Sequence, residues 1–186
     1  MSVVAGATLQ FAREVRTVAV EHGVPAALIG AAAMAVHGYV RATGDVDLAV
    51  VTDIATLRAI SRAITKTLGA AVTFDEPDED DPLGGVLTCR RDGALPVQVV
   101  NFVNERRVRN HNPGLEAIRT SSGDASMPVV DLPHLIALKL WAGGPKGQHD
   151  VRELLAVNAD ADLAAIDDVC HRFDLDEAWR PLRPAS

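Results

Sequence analysis

The chain has 186 residues, 48% hydrophobic and 23% charged, with a formal net charge of −7. That length and balance suit one soluble domain with a sizeable core and exclude disorder as the main state. The acidic balance disfavours long non-specific tracking along nucleic acid, which needs a positive surface. No apolar stretch is long enough for a membrane span, and no leader pattern opens the sequence, so the cytoplasm is the expected location. Cys89 and Cys170 stand in unrelated contexts and read as reduced, buried thiols.

In chain order, Leu9, Ala12, Val15, Val18 and Ala19 recur at helical spacing, predicting a helix over 8–22 that Gly23 ends. Residues 26–29 form a short apolar run, read as a buried strand. Gly30 breaks it, and a small-residue helix follows as far as Gly38. A strand is expected over 45–51. Asp53 is placed to cap a helix over 54–68, with Leu57, Ile60, Ile64 and Leu68 inward and Gly69 as its stop.

The middle of the sequence reads as a meander. Strands are expected over 71–74, 86–90 and 95–102, the last two joined by an Asp92-Gly93 turn. The acidic run 75–81 reads as a solvated loop. Asn112-Pro113 opens a short helix, and 127–130 is expected to add a brief strand. Asp131 then caps a helix over 132–142 that stops at Gly143-Gly144. A further helix is expected from about 149 to 158, and one or two more complete the chain. The pattern predicts an α+β fold: a mixed sheet flanked by helices, a core over 1–125, and a helical C-terminal segment over 126–186 completing the same domain.

Chemistry concentrates in residues 27–51. Asp45 and Asp47 are separated by one residue at the start of an apolar strand, so both carboxylates project from one face. Two such charges side by side repel each other, and a hard divalent cation relieves the repulsion. Upstream, Gly30 and Ala31 open a helix with little side-chain bulk, which lets backbone amides approach an anion. Arg41 and Thr43 lie between that helix and the acids. By itself the Asp-x-Asp pattern is weak, and a solvated turn before a strand has the same form.

The segment Gly30-Ala31 followed by Arg41-Ala42-Thr43-Gly44-Asp45-Val46-Asp47 resembles the signature of the nucleotidyltransferase superfamily related to DNA polymerase beta. A second block, residues 131–155 with Lys139 and Asp150, resembles the AbiEii-type toxin nucleotidyltransferases more closely. The resemblance implies a minimal nucleotidyltransferase core. It also implies transfer of a nucleoside monophosphate from an NTP to an acceptor, either an RNA end such as tRNA or a protein hydroxyl. Asp45 and Asp47 would hold Mg2+ or Mn2+, and Gly30, Ala31, Arg41, Thr43 and Lys139 would bind the nucleotide. Lys139 would neutralise triphosphate charge, and Asp150 would organise Lys139 or the acceptor. A cognate antitoxin is the implied partner.

The pattern departs from the family at two places. Many members carry a third carboxylate on a neighbouring strand, where this sequence offers Gln98, a poor metal ligand and a poor proton acceptor. Ala31 replaces a Gly or Ser. Two other functions therefore stay open: a nucleotide- or partner-binding module without turnover, and nucleotidylation of a small molecule such as an antibiotic. Arg106, Arg107 and Arg109 are candidates for acceptor phosphate, although a solvated turn has the same composition. His37 and Trp141 read as packing residues. The adjacent His149-Asp150, with His134 and Asp160, suggests a metal phosphohydrolase of the HD type, a reading that leaves Asp45 and Asp47 without a purpose.

Overall fold

A computed structural model of the chain describes residues 3–107 and 110–184. It is a mixed α+β fold with one five-stranded sheet in the order β1-β2-β5-β4-β3. The strands are β1 (Ala26–Ile29), β2 (Val46–Val50), β3 (Ala71–Asp75), β4 (Val86–Arg90) and β5 (Val97–Asn101). β2 and β5 run parallel, and the other neighbours are antiparallel.

The two faces of the sheet differ because strand residues alternate. One face carries Leu48, Leu87 and Val99, all fully buried. Helices α1 (Val3–Glu21) and α3 (Ile54–Leu68) supply the rest of this core through Phe11, Val15, Leu57, Ile60 and Ile64. The helix α3 starts where expected, because the Asp53 carboxylate accepts the Thr56 N–H at 2.7 Å.

The other face carries Asp47, Gln98, Thr88 and Thr73 in one cross-strand row. Here α2 (Gly30–Val36) and α5 (Leu132–Ala142) lie at the β1–β2 end. Helices α4 (Gly114–Thr120), α6 (Gly144–Val157), α7 (Leu163–Arg172) and α8 (Asp176–Trp179) complete the fold. The C-terminal end is held by Asp167, which accepts from Trp179 Nε1 at 2.6 Å and from Arg183 Nε at 2.8 Å. Both cysteines are buried and unbonded, and burial pushes each thiol up to about 12.

Three expectations need correction. The expected strand at 127–130 is an isolated bridge of Val129 to Leu28 and Ser122. The Pro128 carbonyl accepts from the Leu28 N–H at 2.8 Å, but Pro128 has no N–H to extend a ladder. The first helix begins at Val3 rather than residue 8; Val3, Val4, Ala5 and Ala7 continue the apolar, helix-compatible run upstream of Leu9. The helix expected from residue 149 starts at Gly144, because Pro145 sits in the first turn, where its missing N–H costs nothing.

Candidate active site

Four elements bring the candidate residues to one place. β1 ends at Ile29, whose register partner is Asp47 on β2. Gly30 then turns into α2 with φ +65°, and a Cβ there would collide with the Asp47 carboxylate. Only glycine gives both the left-handed backbone and the clearance, so the chain passes directly beneath the acid. Thr43, in the loop before β2, donates its hydroxyl to Asp45 Oδ1 at 2.9 Å and so orients that carboxylate.

α5 and α6 supply the cations and their counter-ion. Asp150 on α6 is 1% exposed and accepts from Lys139 Nζ at 2.9 Å. It also accepts from Arg41 Nε at 3.0 Å and Nη2 at 3.2 Å, a forked guanidinium–carboxylate pair. Burial alone would raise the Asp150 pKa, but the hydrogen bonds and charges of Lys139 and then Arg41 outweigh it and hold the carboxyl below its ordinary value. Residues from the two ends of the chain are thus tied through one buried acid.

Asp47 lies in the opposite environment. It is partly buried, yet among the described residues nothing donates a hydrogen bond to its carboxylate. Burial, and then repulsion from Asp45, push its pKa up to about 6, against the more distant pull of Lys139, Arg41 and Lys146.

These residues line a cavity of about 240 Å³ that includes Ala31, Asp45, Asp47, Lys139 and Lys146. The first turn of α6 opens on it through Gly143 and Gly147, and Gly143 offers no capping side chain to the helix amides. That end of a 14-residue helix adds a partial positive charge to the same wall. The cavity therefore pairs two crowded carboxylates with a cationic rim. A carboxylate removed from water without a donor suits a divalent cation, and hard oxygen ligands suit magnesium. Two carboxylates alone do not fill its shell. Further oxygen ligands would have to complete it, and Gln98, beside Asp47 in register on β5, adds no charge.

Other candidates are placed elsewhere or do different work. His149 is exposed, and His134 donates its Nδ1–H to the Asp131 carboxylate at 2.7 Å, so the adjacent His-Asp pair does not converge with His134. His37 meets the Val130 carbonyl at 2.8 Å, a packing and tethering role. Arg107 faces a separate cavity, and Arg109 lies outside the described residues. The acidic loop folds on itself, with Asn104 donating to the carbonyls of Asp78 and Asp81 at 2.8 Å. Sequence reasoning missed Lys146; its place in the first turn after two glycines was the available signal. Trp141, read as a packing residue, does pack against the core, and its partly exposed side chain also lines two cavities.

The family model for the nucleotidyl transferase AbiEii toxin, of the type IV toxin–antitoxin system, matches residues 15–185. The chain belongs to the AbiEii nucleotidyltransferase family. Its fold is similar to that of the antibiotic-resistance factor ANT(2'')-Ia, with a TM-score of 0.55 at 14% identity over 92% of this chain and 94% of that one. JHP933 from Helicobacter pylori matches with a TM-score of 0.50 at 16% identity, over 98% and 78% of the two chains. An antigenic nucleotidyltransferase-like protein from Paracoccidioides brasiliensis gives 0.50 at 14% identity, over 94% and 91%. At these identities the likeness concerns the fold. A search among curated proteins finds no match. Among the described residues no helix is long and apolar enough to cross a membrane.

Proposed function

We propose that this AbiEii-family chain transfers a nucleoside monophosphate from an NTP to an acceptor hydroxyl and releases pyrophosphate. The observation that carries the reading is the Asp47 carboxylate, partly buried with no hydrogen-bond donor among the described residues, beside Asp45 in a cavity that also holds Lys139, Lys146 and Arg41. Asp45 and Asp47 would hold magnesium, or manganese, which when bound supplies Lewis acidity and a template at the α-phosphoryl group.

The remaining work falls to the chain's own residues. Lys139, with Lys146 and the α6 amide end, stabilises negative charge on the phosphates and on the departing pyrophosphate. Gly30 and Ala31 allow close backbone approach. Thr43 fixes the rotamer of Asp45. Asp150 is a positioning residue that keeps Lys139 and Arg41 extended toward the cavity. Gln98 neither charges the site nor takes a proton, so the acceptor hydroxyl loses its proton to solvent or to a phosphate oxygen. An RNA end such as tRNA, or a protein hydroxyl, is the acceptor class that the family suggests, with a cognate antitoxin as partner.

A second reading rests on Gln98: a module that binds nucleotide without turnover. Incubation with each of four α-labelled NTPs, magnesium and cell extract separates the two. The transferase reading expects label in RNA or protein, lost in Asp45→Asn. Tight NTP binding with no transfer in several extracts favours the binding module, and absence of NTP binding overturns both.

A further inference from the structure

The two edges of the sheet end differently. At β1 the edge is closed: the Leu28 N–H donates to the Pro128 carbonyl at 2.8 Å, and the Val130 N–H donates to the Leu28 carbonyl at 3.2 Å. β3 is the other edge. The Phe102 N–H donates to the Val50 carbonyl and the Asn101 N–H to that of Gly85. Alternation carried from these bonds across β5 and β4 turns the N–H and C=O groups of Ala71, Thr73 and Asp75 toward β4, and those of Val72 and Phe74 outward. Among the described residues no hydrogen bond reaches the outward groups.

Such an edge is a template for another strand, and charged side chains ordinarily guard it. Here the guards have opposite signs. Arg90, opposite Ala71 on β4, extends over β3 and places Nη1 3.4 Å from the Thr73 hydroxyl. Asp75 stands at the far end of β3 on the same face. Both are exposed, and among the described residues neither has an ion-pair partner. The other face of the strand carries Val72 and Phe74, both half-buried.

We propose that β3 is a self-association edge, which pairs antiparallel with β3 of a second copy about a two-fold axis at Thr73. That register satisfies every outward group, because Val72 of each copy exchanges both N–H···O bonds with Phe74 of the other. It sets a β-branched side chain against an aromatic ring, and Thr73 against Thr73, both favourable cross-strand pairs. Asp75 falls opposite Ala71 of the second copy. The small Ala71 leaves the carboxylate facing Arg90 of that copy, two strand spacings or about 10 Å away between Cα atoms, within the reach of an arginine. Symmetry repeats the contact, as a two-fold interface requires. An axis at Asp75 would instead set two carboxylates against each other, which is unfavourable. The polar row Asp47, Gln98, Thr88, Thr73 then runs unbroken to the acid pair of the second copy, on one face of a continuous sheet.

Sedimentation velocity over a concentration series of the intact protein tests the pairing. A reversible monomer–dimer equilibrium is expected. Arg90→Asp and Asp75→Arg are each expected to raise the dimer dissociation constant about tenfold or more, and the two together to restore it, because the attraction is re-formed with its signs exchanged. Both positions are exposed, so the melting temperatures of the variants should stay native and report that they fold. Val72→Pro, which removes an outward N–H that an edge strand does not use within its own sheet, is expected to weaken the dimer as well. A monomer at every concentration overturns the proposal. A dimer indifferent to both charge reversals, or single losses that the double variant does not repair, also overturns it.

Discussion

Asp47 and Asp150 line the same cavity and are the same residue type, yet they are built for opposite purposes. Asp150 is 1% exposed and saturated by Lys139 and Arg41. Asp47 is partly buried and has no donor among the described residues, and burial, then Asp45, push its pKa up to about 6. The protein completes one acid internally and leaves the other for something it must bind. A buried charge that is fully paired reads as scaffold, and a partly buried one left unpaired reads as a binding position.

Removing each partner in turn tests that contrast. Asp150→Ala strands two cations near a buried position and is expected to cost about 3–5 kcal/mol of stability. Urea unfolding would measure it, and an undiminished midpoint would mean the bridge is ornamental. Asp47→Asn should do the reverse. Transfer is expected to fall at least about 100-fold, while the metal-free protein keeps or gains stability because a costly charge is gone.

The pH dependence has opposite signs for the two acids. The Asp47 pKa is raised from 3.8 to about 6, so the native state binds the extra proton between those values. That contribution is full below about pH 4 and lost as pH rises through about 6, amounting to about 2–3 kcal/mol. Metal-free protein should therefore lose melting temperature between pH 4.5 and 7, and Asp47→Asn should flatten the slope. Asp150 is depressed, so its contribution is present above the ordinary carboxylate range and lost only as pH falls through its lowered pKa. Smallest of the set, Gly30→Ala forces a left-handed alanine against Asp47 and should cost about 1–2 kcal/mol in backbone strain, with a larger loss of transfer than of stability. An alanine variant with native transfer would show that the approach beneath Asp47 is not needed.

Much of this site was legible in the sequence because its parts are local. Asp45 and Asp47 share a face by strand alternation, and Gly30 marks a break that no other residue fits. The Asp53 and Asp131 caps also announced α3 and α5. Lys146 and the true start of α6 were hidden because Gly143, Gly144 and Pro145 look like a breaker, while the fold uses them as a corner and a first turn. The bridge from Arg41 to Asp150 spans 109 positions, and no periodicity encodes it. The partial exposure of Trp141 was hidden for a similar reason: on a helix as apolar as α5, only the packing tells which side chain remains partly uncovered.

The counter-charge for the acids arrives late in the chain. A polypeptide emerging from the ribosome displays Asp45 and Asp47 long before Lys139 and Asp150 exist, and synthesis at about 5–20 residues per second separates the two events by several seconds. During that interval the nascent chain carries the repelling carboxylates with Arg41 but without Lys139 and Lys146. The two-glycine corner between α5 and α6 sets how Lys146 and Asp150 fall relative to Lys139, so the acid pair meets these groups only once the last third of the protein has folded.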